Sequence, residues 1–442
     1  MRKPLAITAA ALVLLGSTQL PAQAAAGPEA PTDLQLSWVA PGNQQVKMTW
    51  ADGGEANIVR VEYQDGHQVT RFTSKPGTPN EWTRVGHALV WTDRVARISV
   101  VSIDESGAES APVVSPWFDS IGAPLPTFTS AVPLPDGSLK LNWSLAPVPV
   151  DTTPGDPLDL PSTNEVVKLA VATTPNAPGK SFTLPAGSTT FTIPTHPRPY
   201  PVAMLTTNEW VIRGGTTGSS SVVFNETTVG LSVPATNVYS QSLPFSIVAG
   251  TRMCANAQYN CPDRTNPFVA NPGIRTLLQA RPDAARPWKT IGTYTNQQLR
   301  FTANVRLYGG QQYRLYIPTW SHLNGRELTV APAASTSARY SATQAKFAVA
   351  GFNTSTATVG QIVKTTVDVL PAGTVKADLQ WYDGKVWRHA TYISLTKGKG
   401  TFSFKAAGRG TSRYWRVVVP KMTMNGLPIV ATPSKAFKLT VR

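Results

Sequence analysis

The sequence predicts an all-β chain: four antiparallel β-sandwich domains in tandem behind a cleaved export signal. Three observations carry that expectation. Apolar and polar residues alternate in short runs, 38 prolines and 33 glycines punctuate the chain, and the last two hundred or so residues contain one module written twice. Period two with one apolar face marks half-buried strands. So many breakers leave hardly any stretch for an amphipathic helix.

Met1 to Ala26 reads as a secretory signal. Arg2 and Lys3 supply the charged start, Leu5 to Leu15 the apolar centre, and Ala22-Gln23-Ala24 a small-residue cleavage site, placing cleavage near Ala24 to Ala26. The apolar run is too short to cross a bilayer, which takes roughly 20 residues. No second long apolar run follows, so no transmembrane segment is expected in the mature protein. Localisation is expected to be secreted and extracellular.

The rest of the chain fits about four domains of one hundred residues each. The first module, 27–122, opens with Leu34, Leu36 and Trp38 alternating with polar residues, then Val46, Met48 and Trp50, then Ile58 to Tyr63 and an Asp65-Gly66 turn. The second, 123–235, repeats the opening, with Leu139-Lys140-Leu141-Asn142-Trp143 standing where Val46-Lys47-Met48-Thr49-Trp50 stood. Prolines 147, 149, 154, 157 and 161 then interrupt it. They cannot donate to a ladder, so the stretch 146–161 is expected to be an extended loop able to carry a binding surface. The third and fourth modules, 236–334 and 335–442, are the repeat pair. Gln279, Trp288, Gly310, Arg314, Pro318, Asn324-Gly325 and Leu328-Thr329-Val330 reappear as Gln380, Trp387, Gly410, Arg416, Pro420, Asn425-Gly426 and Leu439-Thr440-Val441. Short linkers are expected near Gly122, Pro234 and Ala331 to Ser337. One tryptophan is expected to anchor each core: Trp50, Trp143, Trp288 and Trp387.

These residues carry two resemblances. Pro31 with Leu34, Val46-x-Met48-x-Trp50, and Ile98-x-Val100-x-x-Ile103-Asp104-x-x-Gly107-x-x-Ser110-x-Pro112 resemble a fibronectin type III domain, a family in which a strand-B tryptophan lies in the core. The second module is similar, more weakly. Arg97 departs from the pattern, standing near the family's usual tyrosine. Leu278-Gln279, Trp288, Tyr313-Arg314 and Pro318, with Leu379-Gln380, Trp387, Trp415-Arg416 and Pro420, resemble immunoglobulin-like repeats of secreted bacterial proteins. That second resemblance implies a structural or attachment module without chemistry.

Charge is placed unevenly. Residues 27–122 hold 7 basic and 12 acidic side chains and 123–235 hold 5 and 7, whereas 236–334 hold 10 and 3 and 335–442 hold 16 and 3. A cation-rich half on an exported protein suits an anionic polysaccharide or cell-wall polymer. The same residues, scattered at strand-like spacing, also suit solubility and edge protection. Both readings stay open at this point.

Little in the chain points to catalysis. Cys254 and Cys261 are the only cysteines, and in an oxidising compartment they are expected to join as a disulfide. The five histidines sit in no nucleophile elbow, no Gly-x-Ser-x-Gly occurs, and phosphate-cradling glycine motifs and calcium loops are absent. No enzyme, metal or cofactor is expected. Nucleic acid is disfavoured, because no cluster combines aromatic and basic residues in a known recognition module.

The aromatic pairs are the remaining lead. Neighbours on a strand point to opposite faces, so Trp381-Tyr382 and Tyr414-Trp415 must each turn one ring outward. By spacing Trp387 and Trp415 are assigned to the core. Tyr382 and Tyr414, beside Lys385, Arg388, Arg413 and Arg416, are then the candidates for polymer contact, with sugar stacking as the alternative use of the rings. A ring that merely props up a strand edge is the plain competing explanation.

Overall fold

The structure is a computed structural model that describes residues 27–40, 43–147, 150–161, 166–171, 179–185, 187–210, 212–213, 221–253, 267–295 and 298–442. Residues 1–26, expected to be an export signal, and both cysteines of the expected disulfide, Cys254 and Cys261, lie outside the described residues. Among the described residues the one helix is a single turn, Gly86–Leu89, and all other regular structure is strand. The chain is all-β, built from immunoglobulin and fibronectin-like sandwiches, and it divides into two compact units.

The first unit is a sandwich closed by a clasp. One sheet orders Thr32–Trp38, Gln45–Ala51 and Glu81–Val85; the other orders Gln68–Thr73, Ala56–Tyr63, Val95–Ile103 and Val113–Val114. Alternation places Val46, Met48 and Trp50 inward against Val59, Val61, Ile98 and Val100. The Trp50 indole stays apolar-packed because its one polar atom, Nε1, donates to Asn57 Oδ1 at 2.8 Å. Arg97, in place of a tyrosine, pairs with Glu62 at 2.8 Å and lies 4.7 Å from the Trp117 ring centroid.

The proline-rich stretch is an irregular and largely exposed loop over residues 150–161, but it is anchored rather than free. Those residues belong to the first unit, and so do 207–210. Leu158 is buried in the first core, and Trp38 Nε1 donates to its carbonyl at 2.8 Å. Trp210 lies parallel to Phe118 at 5.8 Å and meets Trp38 edge-on at 4.9 Å. With prolines unable to form a ladder, aspartates satisfy the amides: Asp156 accepts from Leu158 N at 2.7 Å and Asp119 from Thr152 N at 2.9 Å. Burial raises both of these carboxyls above the usual carboxylate range.

The second unit holds three further sheet pairs. In the first pair, Pro126–Pro133, Leu139–Leu145 and Thr190–Ile193 face a larger sheet over a core of Leu139, Leu141, Trp143, Val167, Leu169 and Val202. Trp143 is buried there, as Trp50 is in the first unit. The repeats follow, each with eleven strands among the described residues: Glu226–Ser232 to Arg339–Gln344, and Lys346–Phe352 to Phe437–Val441. A three-stranded sheet faces a six-stranded one in both. The spacing is 120 residues from Ile247 to Val367, both buried, but 101 from Gln279 to Gln380. The third module therefore has the longer connection between these points, and its two cysteines belong to it.

Strand pairing crosses two of the expected borders. Ser221–Phe224 of the second module pairs in parallel with Glu327–Ala331 of the third, which adds Leu328 and Val330 to the second module's core. Arg339–Gln344, expected in the fourth module, pairs with Gln311–Ile317 and Thr236–Val238 of the third. The stretch expected as a linker, Ala331 to Ser337, includes the strand Ala334–Ser335, paired with Ile317 and Tyr316. Leu328-Thr329-Val330 and Leu439-Thr440-Val441 are thus not equivalent: the first lies in a hairpin, the second in the last strand of its own sandwich.

Each repeat has a two-residue hairpin at this point, turning on Gly325-Arg326 in the third module, with Asn324 still in the strand opposite Glu327, and on Asn425-Gly426 in the fourth. Asn425 and Gly426 have positive φ of 49° and 77°, the two-residue turn that matches strand twist. Each hairpin reaches the preceding module. Gly310 N donates to Pro428 O at 2.8 Å and Val430 N to Thr343 O at 2.9 Å. A Cβ on Gly309 would collide with the Leu427 side chain, so the close approach requires glycine there.

Candidate functional site

Two expected core tryptophans are not in the core. Trp288 and Trp387 are half-buried and absent from the buried clusters of their modules, which are filled instead by Phe245, Leu278, Tyr313 and Leu315, and by Val367, Leu379, Val417 and Val419. The reason is strand position. Trp50 and Trp143 lie on the second strand of the three-stranded sheet, where odd and even residues separate cleanly into core and solvent. Trp387 instead starts a strand of the larger sheet opposite Tyr382, two residues from Gln380 and out of phase with inward Leu379.

What the outward tryptophans do is the same in both repeats. Arg314 Nε donates to Gln279 Oε1 at 2.8 Å, and the Arg314 guanidinium lies 4.5 Å from the Trp288 ring centroid. Arg416 Nε donates to Gln380 Oε1 at 2.8 Å, and its guanidinium lies 4.4 Å from the Trp387 ring centroid. Ladder registers explain the match: Gln279 pairs with Arg314 and Gln380 with Arg416, so amide and guanidinium share one face of adjacent strands. A guanidinium over an indole contributes about 0.5–1 kcal/mol where solvent reaches it.

The surroundings of the two trios differ. In the fourth module Gln380 Nε2 donates to Asp378 Oδ2 at 2.7 Å, and His389 Nδ1 lies 2.6 Å from Asp378 Oδ1. A hydrogen-bonded row thus runs across three strands from Arg416 through Gln380 and the Asp378 carboxylate to His389. Four rings share that face with the His389 imidazole: Tyr382 is 5.3 Å from Trp387, Tyr392 is 4.5 Å from His389, and Tyr414 has Lys438 Nζ 5.9 Å from its centroid. In the third module Arg281 stands where Tyr382 stands in the fourth. Its guanidinium lies 4.2 Å from the same Trp288 ring, and its Nε donates to Gln312 Oε1 at 2.8 Å. Burial lowers the pKa of both Arg314 and Arg416; Arg281 pushes Arg314 further down, whereas Asp378 pushes Arg416 back up.

The six polymer-binding candidates are divided between surfaces. Tyr382, Tyr414 and Arg416 lie on the outer face, with Tyr382 half-buried against Trp387 and Tyr414 exposed. Arg388 pairs across the ladder with Trp381, and Arg413 lies 4.4 Å from the Trp381 ring; both belong to the opposite face. Arg388 Nε also donates to Asp383 Oδ2 at 2.7 Å. Lys385 is exposed in the hairpin turn, where its amide donates to Asp383 Oδ1 at 2.8 Å. The amides of Val386 and Lys385 and the Arg388 side chain hold Asp383 down to about 2. Arg281, Gln279, Gln380, Asp378, His389 and Tyr392 complete the outer faces and were not singled out as site residues from sequence. The available signal was a glutamine and an arginine repeated inside strands, where packing alone calls for neither.

Among the described residues no grouping of three or more His, Cys, Asp or Glu is placed to hold a metal ion. No described helix is long and apolar enough to cross a membrane. The trios offer charged donors, amide groups and π faces, the groups of a recognition surface.

No protein-family model matches this chain, and no curated protein does. Solved structures similar to it include the FN1–FN3 domains of chicken CNTN1, at 11% identity over 71% of this chain and 98% of that one, with a TM-score of 0.22. A two-domain fibronectin type III segment of chicken tenascin aligns at 13% identity over 44% and 98%, with a TM-score of 0.20. A tetra-tandem repeat from the extending region of a large adhesion protein aligns at 12% identity over 91% and 98%, with a TM-score of 0.27. The fold assignment rests on the strand order given above.

Proposed function

We propose that this chain is an exported, noncatalytic spacer or adhesion protein whose basic carboxy-terminal half contacts an anionic polymer of a cell envelope or extracellular matrix. The observation that carries this reading is the outward Gln–Arg–Trp trio, built twice with the same geometry on the half of the chain that holds 26 basic and 6 acidic residues. Core packing accounts for repeated leucines and valines. It does not account for a repeated guanidinium pinned over a solvent-facing ring. The test is binding of the full chain to immobilised anionic polysaccharide against neutral dextran at low and high salt. Retention that falls steeply with salt is expected; equal retention on both supports at low salt refutes the reading.

A second reading has one observation in its favour. Tyr382, Trp387, Tyr392 and Tyr414 line one outer face, an arrangement suited to stacking on sugar rings. Binding to a neutral glycan that survives high salt and is lost in Tyr414→Ala would support carbohydrate recognition over charge-driven contact. Turnover of a polysaccharide or ester substrate by purified protein would replace both readings with an enzyme.

A further inference from the structure

We propose that Arg281 and Arg314, held against Trp288 in the third module, form a clamp for a single oxyanion substituent, a carboxylate or a sulfate ester, on an acidic polysaccharide. The proposal rests on the reading that the basic half binds an anionic polymer, and it assigns the contact to a different module from the one sequence spacing favours.

Four features converge on it. Each guanidinium has its Nε fixed by a neutral amide oxygen, Arg281 by Gln312 and Arg314 by Gln279, both at 2.8 Å. Glutamine fixes orientation without cancelling charge, so both cations keep their full attraction for an anion. Among the described residues neither arginine has a carboxylate partner: Asp283, the acid nearest Arg281 in sequence, accepts from the Ala285 amide of its own turn at 2.8 Å, and Arg281 Nη1 donates to the Ala284 carbonyl at 3.3 Å. Two like charges therefore stand at 4.2 and 4.5 Å from one ring centroid, an arrangement that repels itself until an anion enters.

The third feature is preorganisation. The indole and the two amides limit the rotamers of both long side chains, so little side-chain entropy remains to be lost when a ligand binds. Nη2 of Arg281, the second hydrogen of its Nη1 and both Nη groups of Arg314 have no partner among the described residues, which leaves donors for the paired hydrogen bonds that carboxylate and sulfate oxygens accept. The fourth feature is the internal control. At the matching site of the fourth module Tyr382 replaces Arg281, and the row from Arg416 includes Asp378, an anion already supplied by the protein. The clamp belongs to one repeat only.

The experiment uses the full chain with dextran sulfate and polygalacturonate as probes and neutral dextran as the blank, in about physiological salt. Arg281→Gln is expected to weaken both anionic probes about tenfold, the scale of one lost charged contact. Arg281→Lys keeps the charge but loses the fork, and it is expected to weaken them as well. Arg300→Gln removes the same charge from an exposed position on the other sheet, and a change under about twofold is expected there. Loss on dextran sulfate alone assigns the site to sulfate, and loss on polygalacturonate alone assigns it to carboxylate. If wild-type protein binds and Arg281→Gln weakens it no more than Arg300→Gln does, the clamp is wrong while diffuse charge attraction stands. Absence of binding to either probe by wild-type protein removes the polymer-binding reading itself. Unchanged thermal melts of the variants exclude misfolding as the cause.

Discussion

The third and fourth modules share a strand plan and an outward Gln–Arg–Trp trio, yet they balance its charge in opposite ways. In the third, a second arginine joins the indole and no acid among the described residues answers it. In the fourth, a tyrosine takes that place and Asp378 joins the row through Gln380. The trio is the shared scaffold, and on the proposed reading the residue opposite the tryptophan sets what the face attracts. A solvent-facing strand position of this kind can change without disturbing the core beneath.

The largest effect expected separates this scaffold from a core. Trp143→Ala, in the second module, is expected to cost about 3–5 kcal/mol. Trp288→Ala and Trp387→Ala are each expected to cost roughly 1–2 kcal/mol, since only part of the ring is buried and the stacked cations lost are two at Trp288 and one at Trp387. Urea denaturation compares the three, and an outward tryptophan matching Trp143 would overturn the distinction. Next in size, Gln380→Leu is expected to destabilise by about 1 kcal/mol more than Gln279→Leu. Gln380 bridges Arg416 to Asp378, and its loss leaves both without the connecting amide.

A smaller effect tests the comparison by converting one module into the other. Tyr382→Arg places a second guanidinium beside Trp387, and affinity for dextran sulfate is expected to rise about threefold, short of a full clamp because Asp378 remains. No gain, with the fold intact, would show that the residue opposite the tryptophan does not set the preference. The smallest effect concerns the fourth module's hairpin turn. Asp383 has its folded pKa lowered to about 2 from 3.8 by the Val386 and Lys385 amides and Arg388. Its contribution is full above 3.8 and is lost as pH falls towards 2. Amide exchange at Lys385 and Val386 is expected to quicken only in that window. Quickening already at pH 6 would point to another group.

The all-β class and the cores at Trp50 and Trp143 were legible because alternation in a three-stranded sheet is clean, as the burial of Val46, Met48 and Trp50 demonstrates. Trp288 and Trp387 were misplaced because a repeated tryptophan looks like a core landmark whichever face it occupies. Parity against Leu278-Gln279 and Leu379-Gln380 was the overlooked clue: with leucine inward, glutamine must face out, and a ring aligned with glutamine follows it. The bulges at Leu278/Gln279 and Leu379/Gln380 obscured that count. Among the polymer-binding candidates, alternation alone could have separated Arg413 from Tyr414. The pairing of Arg388 with Asp383 depends on turn geometry that sequence does not specify. The clasp formed by Leu158 and Trp210 was out of reach, since nothing local indicates that a proline-rich loop will fold back onto an earlier sandwich.

The hairpin that turns on Gly325-Arg326 couples two modules mechanically. Because Leu328 and Val330 complete a core that begins some two hundred residues earlier, a cut at residue 235 would unroof one sandwich and leave the next with a dangling arm. Neighbouring modules so spliced are expected to melt together rather than one at a time, and a tensile load passing between them must shear four parallel residue pairs before any slack appears.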